Sequence, residues 1–126
     1  MKPVVYDAGV LIAADRSERH VWAAHRVWLE SGSVPLVPAP VVAQVSRSPQ
    51  QAELRRLLRG CEIVPFAAAD AHDAGALLGK SRSRDVVDAA VVALAIGRRA
   101  DIQSGDGKDI RRLLAAAGAK LRVLEV

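Results

Sequence analysis

Short runs of apolar, β-branched residues alternate along this chain with longer segments in which apolar residues recur at helical spacing. The short runs are typical of buried strands, and the longer segments are typical of helices with one buried face. Because parallel strands need a crossover between them, this alternation favours an α/β fold with a central, mainly parallel sheet of about five strands flanked by helices. The strands are predicted within residues 3–8, 34–40, 61–66, 100–107 and 120–126.

Seven helices are predicted between these strands from periodicity and from residues that begin or end helices. In the fourth of them, Ser48 fits the N-cap, Pro49 fits the first helical position and Gly60 ends the segment. No repeat or linker divides the 126 residues, so we expect a single domain over residues 1–126. The helices are predicted within residues 8–17, 18–32, 40–47, 48–60, 68–82, 83–99 and 108–118.

Composition narrows the class of protein. Hydrophobic residues make up 51% and charged residues 25%, which is typical of a soluble globular protein. No apolar run reaches the roughly 18 residues that span a bilayer, and no secretory leader is recognisable, so we expect a cytoplasmic protein without a membrane partner. Cys61 is the single cysteine, which excludes an internal disulfide and a cysteine-rich metal site. A net charge of +4 suits an anionic partner.

One carboxylate interrupts the apolar run at residues 4–15, which reads VVYDAGVLIAAD. Asp7 follows the first predicted strand, and burying a carboxylate among aliphatic side chains is costly unless it is paired, hydrogen-bonded or bound to a metal. In parallel sheets, ligands bind at the carboxyl ends of the strands. Asp7 therefore lies where a functional site is expected.

A second carboxylate lies in the most apolar helix. Asp88 is the only polar residue between Val86 and Ile96, and helix propensity does not explain an aspartate there. Asp85 lies one turn earlier on the same face, where two negative charges repel unless a positive charge is near. A structural interpretation of Asp85 is also available, since an acid is favoured at a helix N-terminus.

A third acidic segment is SGDGKDI at residues 104–110. Asp106 follows a predicted strand, and Asp109 opens the next helix; as structural residues they would serve as a turn residue and an N-cap. Grouped with Asp7 and Asp88, they would form an acidic pocket whose oxygen ligands suit Mg²⁺ or Mn²⁺. The matching chemistry is phosphodiester hydrolysis, with phosphate contacts from nearby basic residues. Those residues are Lys80, Arg82, Arg84, Arg98, Arg99, Lys108, Arg111 and Arg112.

Taken together, these segments resemble the PIN-domain ribonucleases, and most closely the VapC-like toxins of type II toxin–antitoxin pairs. The resemblance covers nearly the whole chain. It rests on the order and spacing of VYDAGVLIA, PAPVVAQVSR, DVVDAAVVALA and SGDGKDIRRLL. It implies a three-layer PIN-like fold, a Mg²⁺ or Mn²⁺ site, endoribonuclease activity on RNA, a homodimer, and inhibition by a cognate VapB-like antitoxin.

The resemblance also assigns residues. Asp7, Asp88 and Asp106 match the family's acidic residues, which are both metal ligands and catalytic residues, and Asp109 matches an additional acid just beyond them. Asp85 precedes the central position, and Ser104 falls where the family often has a threonine or serine.

Gln44 departs from the family pattern, because it stands where the family usually has a glutamate in the helix after the second strand. A neutral amide offers only a carbonyl oxygen to a cation or its waters.

Three functions follow from these features. The first is a Mg²⁺-dependent endoribonuclease toxin in which Asp7, Asp88 and Asp106 position the ion. The second is a catalytically weak PIN domain that binds RNA or a partner protein without cutting, because Gln44 removes one charge. The third is a phosphatase with Asp7 as nucleophile. By resemblance to the haloacid-dehalogenase fold, that chemistry wants a second aspartate at position 9, where this chain has Gly9.

Overall fold

The structure is a computed structural model and describes residues 2–126. Five short parallel strands form one sheet in the order β3-β2-β1-β4-β5, so β1 is central and β3 and β5 are the edges. The predicted parallel α/β sheet is confirmed. The strands are β1 (Val4–Tyr6), β2 (Leu36–Pro38), β3 (Glu62–Val64), β4 (Asp101–Ser104) and β5 (Val123–Glu125).

Seven helices connect the strands and cover the sheet. The helix that follows β1 packs against the three helices after it, while the two helices that flank the sixth pack against it. Both the first and the sixth helix also contact the central strands, which agrees with the expected three-layer arrangement. The helices are α1 (Ala8–Asp15), α2 (Arg19–Glu30), α3 (Ala39–Val45), α4 (Ala52–Arg59), α5 (Ala68–Ser81), α6 (Val86–Arg98) and α7 (Gly107–Ala117).

The central strands are buried on both faces. All three residues of β1 are fully buried, and every residue of β4 is buried too. This continuous burial is expected for a parallel sheet covered by helices on both sides. The edge strands are more accessible, and Ile63 of β3 is 45% exposed. Within residues 2–126 no helix combines the length and apolar character needed to cross a lipid bilayer.

Two helices begin later than the sequence predicts. The prediction that Ser48 caps the fourth helix is wrong, because α4 begins at Ala52. The side-chain oxygen of Gln51 accepts hydrogen bonds from the amides of Arg47 (2.5 Å) and Ser48 (3.0 Å), which holds this segment in a turn. Similarly, α6 begins at Val86, because Asp85 has an extended backbone and serves as its N-cap.

A helix that is apolar all round is normally buried, but α6 is not fully enclosed. Val86 is 50% exposed and Ile96 is 38% exposed, so one side of this apolar helix faces solvent. Asp88 is correspondingly half-buried rather than enclosed in the core. Its position in the first turn of α6 brings it to the edge of the sheet where the strands end.

Candidate active site

Asp7 lies directly after β1 and is almost completely buried, with 6% of its surface exposed. Its carboxylate caps α1, since Oδ1 accepts hydrogen bonds from the amides of Gly9 (2.9 Å) and Val10 (3.4 Å). The amide of Asp7 in turn donates to the carbonyl of Gln103 on β4 at 3.1 Å. Asp7 is thus fixed by the helix that it begins and by the neighbouring strand.

The turn after β4 supplies two further donors to Asp7. The hydroxyl of Ser104 donates to Oδ2, and the amide of Gly105 donates to Oδ1 at 3.3 Å. This contact needs a close approach of two backbones: a Cβ on Gly9 would lie 2.8 Å from both Cα and N of Gly105. Glycine at positions 9 and 105 therefore lets the start of α1 and the turn after β4 meet around one carboxylate.

Burial raises the pKa of Asp7 above its ordinary value, and its hydrogen bonds act against that rise. The opposing donors are the Ser104 hydroxyl and the amides of Gly105, Val10 and Gly9. A buried carboxylate that accepts several hydrogen bonds is held in one orientation and is partly compensated for its lost hydration. Asp7 is therefore a rigid acidic group rather than a mobile surface charge.

Asp88 is the second carboxyl of the site, and its pKa is raised to about 7. Partial burial contributes most to the rise, followed by the charge and hydrogen bonding of Asp85 and by the charges of Asp7 and Asp109. The carboxylate of Asp85 also accepts a hydrogen bond from the amide of Asp88 at 3.0 Å. The structure thus brings four of the predicted carboxylates into one electrostatic group, where a bound cation would relieve their repulsion.

Asp106 is less closely joined to this group than the sequence predicts. Its side chain is exposed and caps α7, with Oδ1 accepting from the amide of Lys108 at 3.2 Å. It is not among the charges that raise the pKa of Asp88. Its own amide nevertheless donates to the Ser104 hydroxyl oxygen at 3.1 Å, so Asp106 connects to Asp7 through Ser104.

Asp109 and Gln44 are both exposed. Asp109 lies in the first turn of α7, and the N-cap role predicted for it belongs to Asp106. Gln44 lies near the end of α3, and no hydrogen bond among residues 2–126 joins it to the carboxylates. Among residues 2–126 the structure therefore shows no hydrogen bond between Gln44 and the acidic group.

The residues fit a hard divalent cation in chemical type. Their donors are carboxylate and hydroxyl oxygens, which Mg²⁺ and Mn²⁺ prefer. Burial, and then the negative charges of neighbouring acids, raise the pKa of Asp88. Within residues 2–126, however, no group of three or more His, Cys, Asp or Glu side chains is arranged to hold a metal ion. Side-chain rotation at the exposed Asp85, Asp106 and Asp109 would be needed to complete a site.

Glu125 is a further carboxylate at this edge that was not predicted from the sequence. Glu125 ends β5, and its Oε1 accepts hydrogen bonds from the amide of Gly107 (3.3 Å) and from the Arg111 guanidinium (2.8 Å). These bonds and the charge of Arg111 lower the pKa of Glu125. Asp7 and Asp106 were singled out as acids at the carboxyl ends of parallel strands, and Glu125 has the same position at the end of β5.

The sequence matches the family model for the PIN domain over residues 4–114. No curated protein matches it. Several solved structures have the same fold. VapBC2 from Rickettsia felis, solved with a DNA fragment from the promoter, has a TM-score of 0.72 at 15% identity, over 98% of both chains.

Two other structures agree with this likeness in fold. A toxin–antitoxin complex from Klebsiella pneumoniae has a TM-score of 0.67 at 20% identity and covers 84% of this chain and 88% of that one. FitAcB from Neisseria gonorrhoeae has a TM-score of 0.64 at 14% identity, over 96% of both chains. The family match includes Asp7, Asp88 and Asp106. The chain therefore belongs to the PIN domain family.

Proposed function

We propose that this chain is a metal-dependent endoribonuclease and the toxin of a toxin–antitoxin pair. The observation that carries the proposal is the grouping of Asp85 and Asp88 with the buried Asp7, where burial and then the charges of neighbouring acids raise the pKa of Asp88 to about 7. Perturbed carboxyls at the carboxyl end of a parallel sheet favour a catalytic site over a structural one. Membership of the PIN domain family and the fold of toxin–antitoxin proteins support the same function.

In this proposal Asp7, Asp88 and Asp106 would hold Mg²⁺ or Mn²⁺, with Asp85 and Asp109 as additional acids. A bound divalent cation would lower the pKa of a water molecule and stabilise negative charge on the oxygen that leaves phosphorus. Asp7 would be the ligand of fixed orientation, because its carboxylate is held by Ser104 and by backbone amides. Asp88 would supply a second carboxylate ligand once deprotonated, and a cation beside it would favour that charged form.

Basic side chains around the carboxylates support an RNA substrate. Arg84 precedes Asp85, and Lys108 and Arg112 lie on the first turns of α7; all three are exposed. Contacts from such side chains to phosphates give salt-dependent affinity that does not depend on sequence. The acidic group alone would repel RNA, so these flanking cations are what would allow a polyanion to approach.

A cognate VapB-like antitoxin and a homodimer belong to the same proposal. Two of the structurally similar proteins are VapBC2 and a toxin–antitoxin complex, which are assemblies of a toxin with its antitoxin. This chain has exposed apolar side chains that a partner would cover, among them Val27 (63% exposed) and Val34 (53% exposed).

The second candidate is a PIN domain that binds RNA or a partner protein without cutting. Gln44 favours it, because the neutral side chain removes a charge that the family usually supplies, and no group of three or more acids among residues 2–126 is arranged for a metal. A site with one carboxylate fewer should bind a divalent cation more weakly.

Cleavage of a labelled RNA distinguishes the two candidates. Wild type, Asp7→Asn and Gln44→Glu are compared in Mg²⁺, in Mn²⁺ and in excess EDTA. The proposal expects wild type to cut, Asp7→Asn and EDTA to abolish cutting, and Gln44→Glu to lower the Mg²⁺ concentration that is needed. RNA binding without cleavage at every metal concentration would support the second candidate, and full activity of Asp7→Asn would exclude the proposed mechanism.

A further inference from the structure

The last strand makes a second set of contacts to the turn that carries Asp106. Glu125 pairs in register with Ser104, and the amide of Val126 donates to the carbonyl of Ser104 at 3.0 Å. The Glu125 side chain then reaches past Asp106 to accept from the amide of Gly107 at 3.3 Å. The turn at residues 104–107 is therefore held by Asp7 on one side and by β5 on the other.

Gly107 is what allows the Glu125 side chain to reach the helix. A Cβ at this position would lie 2.6 Å from Oε1 of Glu125 and 2.6 Å from Nη1 of Arg111. Any larger residue would push apart two side-chain ends that are 2.8 Å from each other. Because both are the tips of flexible chains, they could move away at little cost, but the contact with the helix amide would be lost.

Arg111 neutralises Glu125, an additional acid at an edge of the sheet that is already acidic. Its guanidinium pairs with Glu125, and both side chains are about half exposed, at 53% and 52%. An exposed ion pair of this kind contributes little stability by itself. It does allow Glu125 to hold the Gly107 amide without adding net negative charge beside Asp106.

We infer that Glu125 is a positioning residue for Asp106, acting through the Gly107 amide and kept in place by Arg111. The inference rests on the proposed function, because it concerns the metal site to which Asp106 would belong. Asp106 is exposed, and its own carboxylate already caps the Lys108 amide. With the first turn of α7 held by Glu125, Asp106 could rotate toward a cation without the helix end fraying.

Three variants of the full chain test this role, with one control. Glu125→Ala removes the acceptor, Glu125→Gln keeps a neutral one, and Gly107→Ala displaces the same contact from the helix side. The control is Glu53→Ala, which removes a carboxylate that is paired with Arg56 at 2.8 Å on α4. Glu53→Ala thus deletes an arginine-paired acid without touching α7.

Two measurements are made on each variant. The first is amide hydrogen exchange of residues 104–110 in the metal-free protein, and the second is the dissociation constant for Mn²⁺ by calorimetry. We expect Glu125→Ala and Gly107→Ala to speed exchange and to weaken Mn²⁺ binding about tenfold, as loss of groups that orient metal ligands does. Glu125→Gln should lie between them and wild type, and Glu53→Ala should match wild type.

Unchanged exchange at residues 104–110 in both Glu125→Ala and Gly107→Ala would overturn the inference. Faster exchange with an unchanged Mn²⁺ dissociation constant would also overturn it, because the restraint would then not serve the site. Failure of wild type to bind Mn²⁺ would contradict the proposed function instead. In that case the positioning role of Glu125 would be refuted together with the proposed function, whatever the exchange rates of residues 104–110.

Discussion

The hydroxyl of Ser104 donates a hydrogen bond to Oδ2 of Asp7, although 97 positions separate the two residues in the chain. The same hydroxyl oxygen accepts from the amide of Asp106 at 3.1 Å. Ser104 is completely buried, so water cannot readily take the place of its hydroxyl in either hydrogen bond. One side chain therefore joins the end of β1 to the turn that begins α7.

Ser104→Ala should lower the free energy of unfolding by about 1–3 kcal/mol, because it leaves a buried carboxylate oxygen and a backbone amide without partners. Urea denaturation measures the change. Ser31→Ala is the matched control, since the exposed Ser31 hydroxyl donates to a carbonyl on its own helix at 2.7 Å. That control should stay within about 0.5 kcal/mol of wild type. Equal effects of the two substitutions would contradict the structural role given to Ser104.

Gly9→Ala should destabilise the protein by about 1–3 kcal/mol, since the added Cβ meets the backbone of Gly105 at 2.8 Å and backbone atoms cannot move aside cheaply. The matched control is Gly75→Ala on α5, where nothing lies within 4 Å of the added Cβ. Alanine is the better helix former, so the control should gain about 0.5–1 kcal/mol. Urea denaturation of both variants checks the opposite signs, and a gain from Gly9→Ala would refute the close approach.

The raised pKa of Asp88 makes the free energy of unfolding of the metal-free protein, measured in EDTA, depend on pH. Its pKa is about 7 in the folded protein and near 3.8 when unperturbed, so the folded state keeps a proton that the unfolded state has released. Raising the pH between these values therefore lowers the free energy of unfolding. Relative to Asp88→Asn, which cannot titrate, wild type should lose stability from pH 4 to pH 7.

Urea titrations at several pH values give this difference directly. Asp7 contributes in the same direction to both proteins, because its pKa is also raised, and its effect cancels to first order. Asp73→Asn, which changes an exposed carboxyl on α5, serves as the control. A difference between wild type and Asp88→Asn that stays constant or grows with pH would show that the carboxylates are not grouped as described.

His25 should change the free energy of unfolding with pH in the opposite direction to Asp88, since its pKa is lowered. Its Nδ1 shares a 2.8 Å hydrogen bond with the Tyr6 hydroxyl, and Arg56 lies nearby, stacked on Trp22 at 3.9 Å. Burial, and then the charge of Arg56, lower the pKa of His25 below 6.5. The stability that neutral His25 contributes is therefore present above pH 6.5 and is lost as pH falls through the lowered pKa.

Nuclear magnetic resonance titration of the His25 ring checks this prediction. The midpoint should lie below 6.5 in wild type and should rise in Arg56→Gln, because a nearby positive charge is removed. Arg55→Gln removes a charge from the preceding position of α4 and should leave the titration midpoint of His25 unchanged. A midpoint above 6.5 in wild type would contradict the buried position of the ring.

The sheet and the position of Asp7 could be predicted from sequence because each depends on a short-range pattern. Apolar runs mark the central strands, and an acid directly after such a run falls at the carboxyl edge. Asp88 was equally visible as the one polar residue in an apolar helix. These signals require no knowledge of which side chains meet.

Details that depend on local hydrogen bonding could not be predicted. The start of α4 depends on the side-chain oxygen of Gln51, which accepts from the amides of Arg47 and Ser48 and holds this segment in a turn. The Asp106 side chain can either cap α7 or face the other acids, and in the structure it caps α7 by accepting from the amide of Lys108. The role of Glu125 depends on the space left by Gly107, which no periodicity reveals.

The central claim is that the carboxylates around Asp88 support metal-dependent cleavage of RNA. The most direct measurement is the rate at which wild type, Asp88→Asn and Asp73→Asn cut a labelled RNA as Mg²⁺ is increased. We predict that wild type and Asp73→Asn cut at rates that rise with Mg²⁺, and that Asp88→Asn is slower by about 100-fold or more. Cleavage by Asp88→Asn at the wild-type rate, or by wild type in excess EDTA, would contradict the claim.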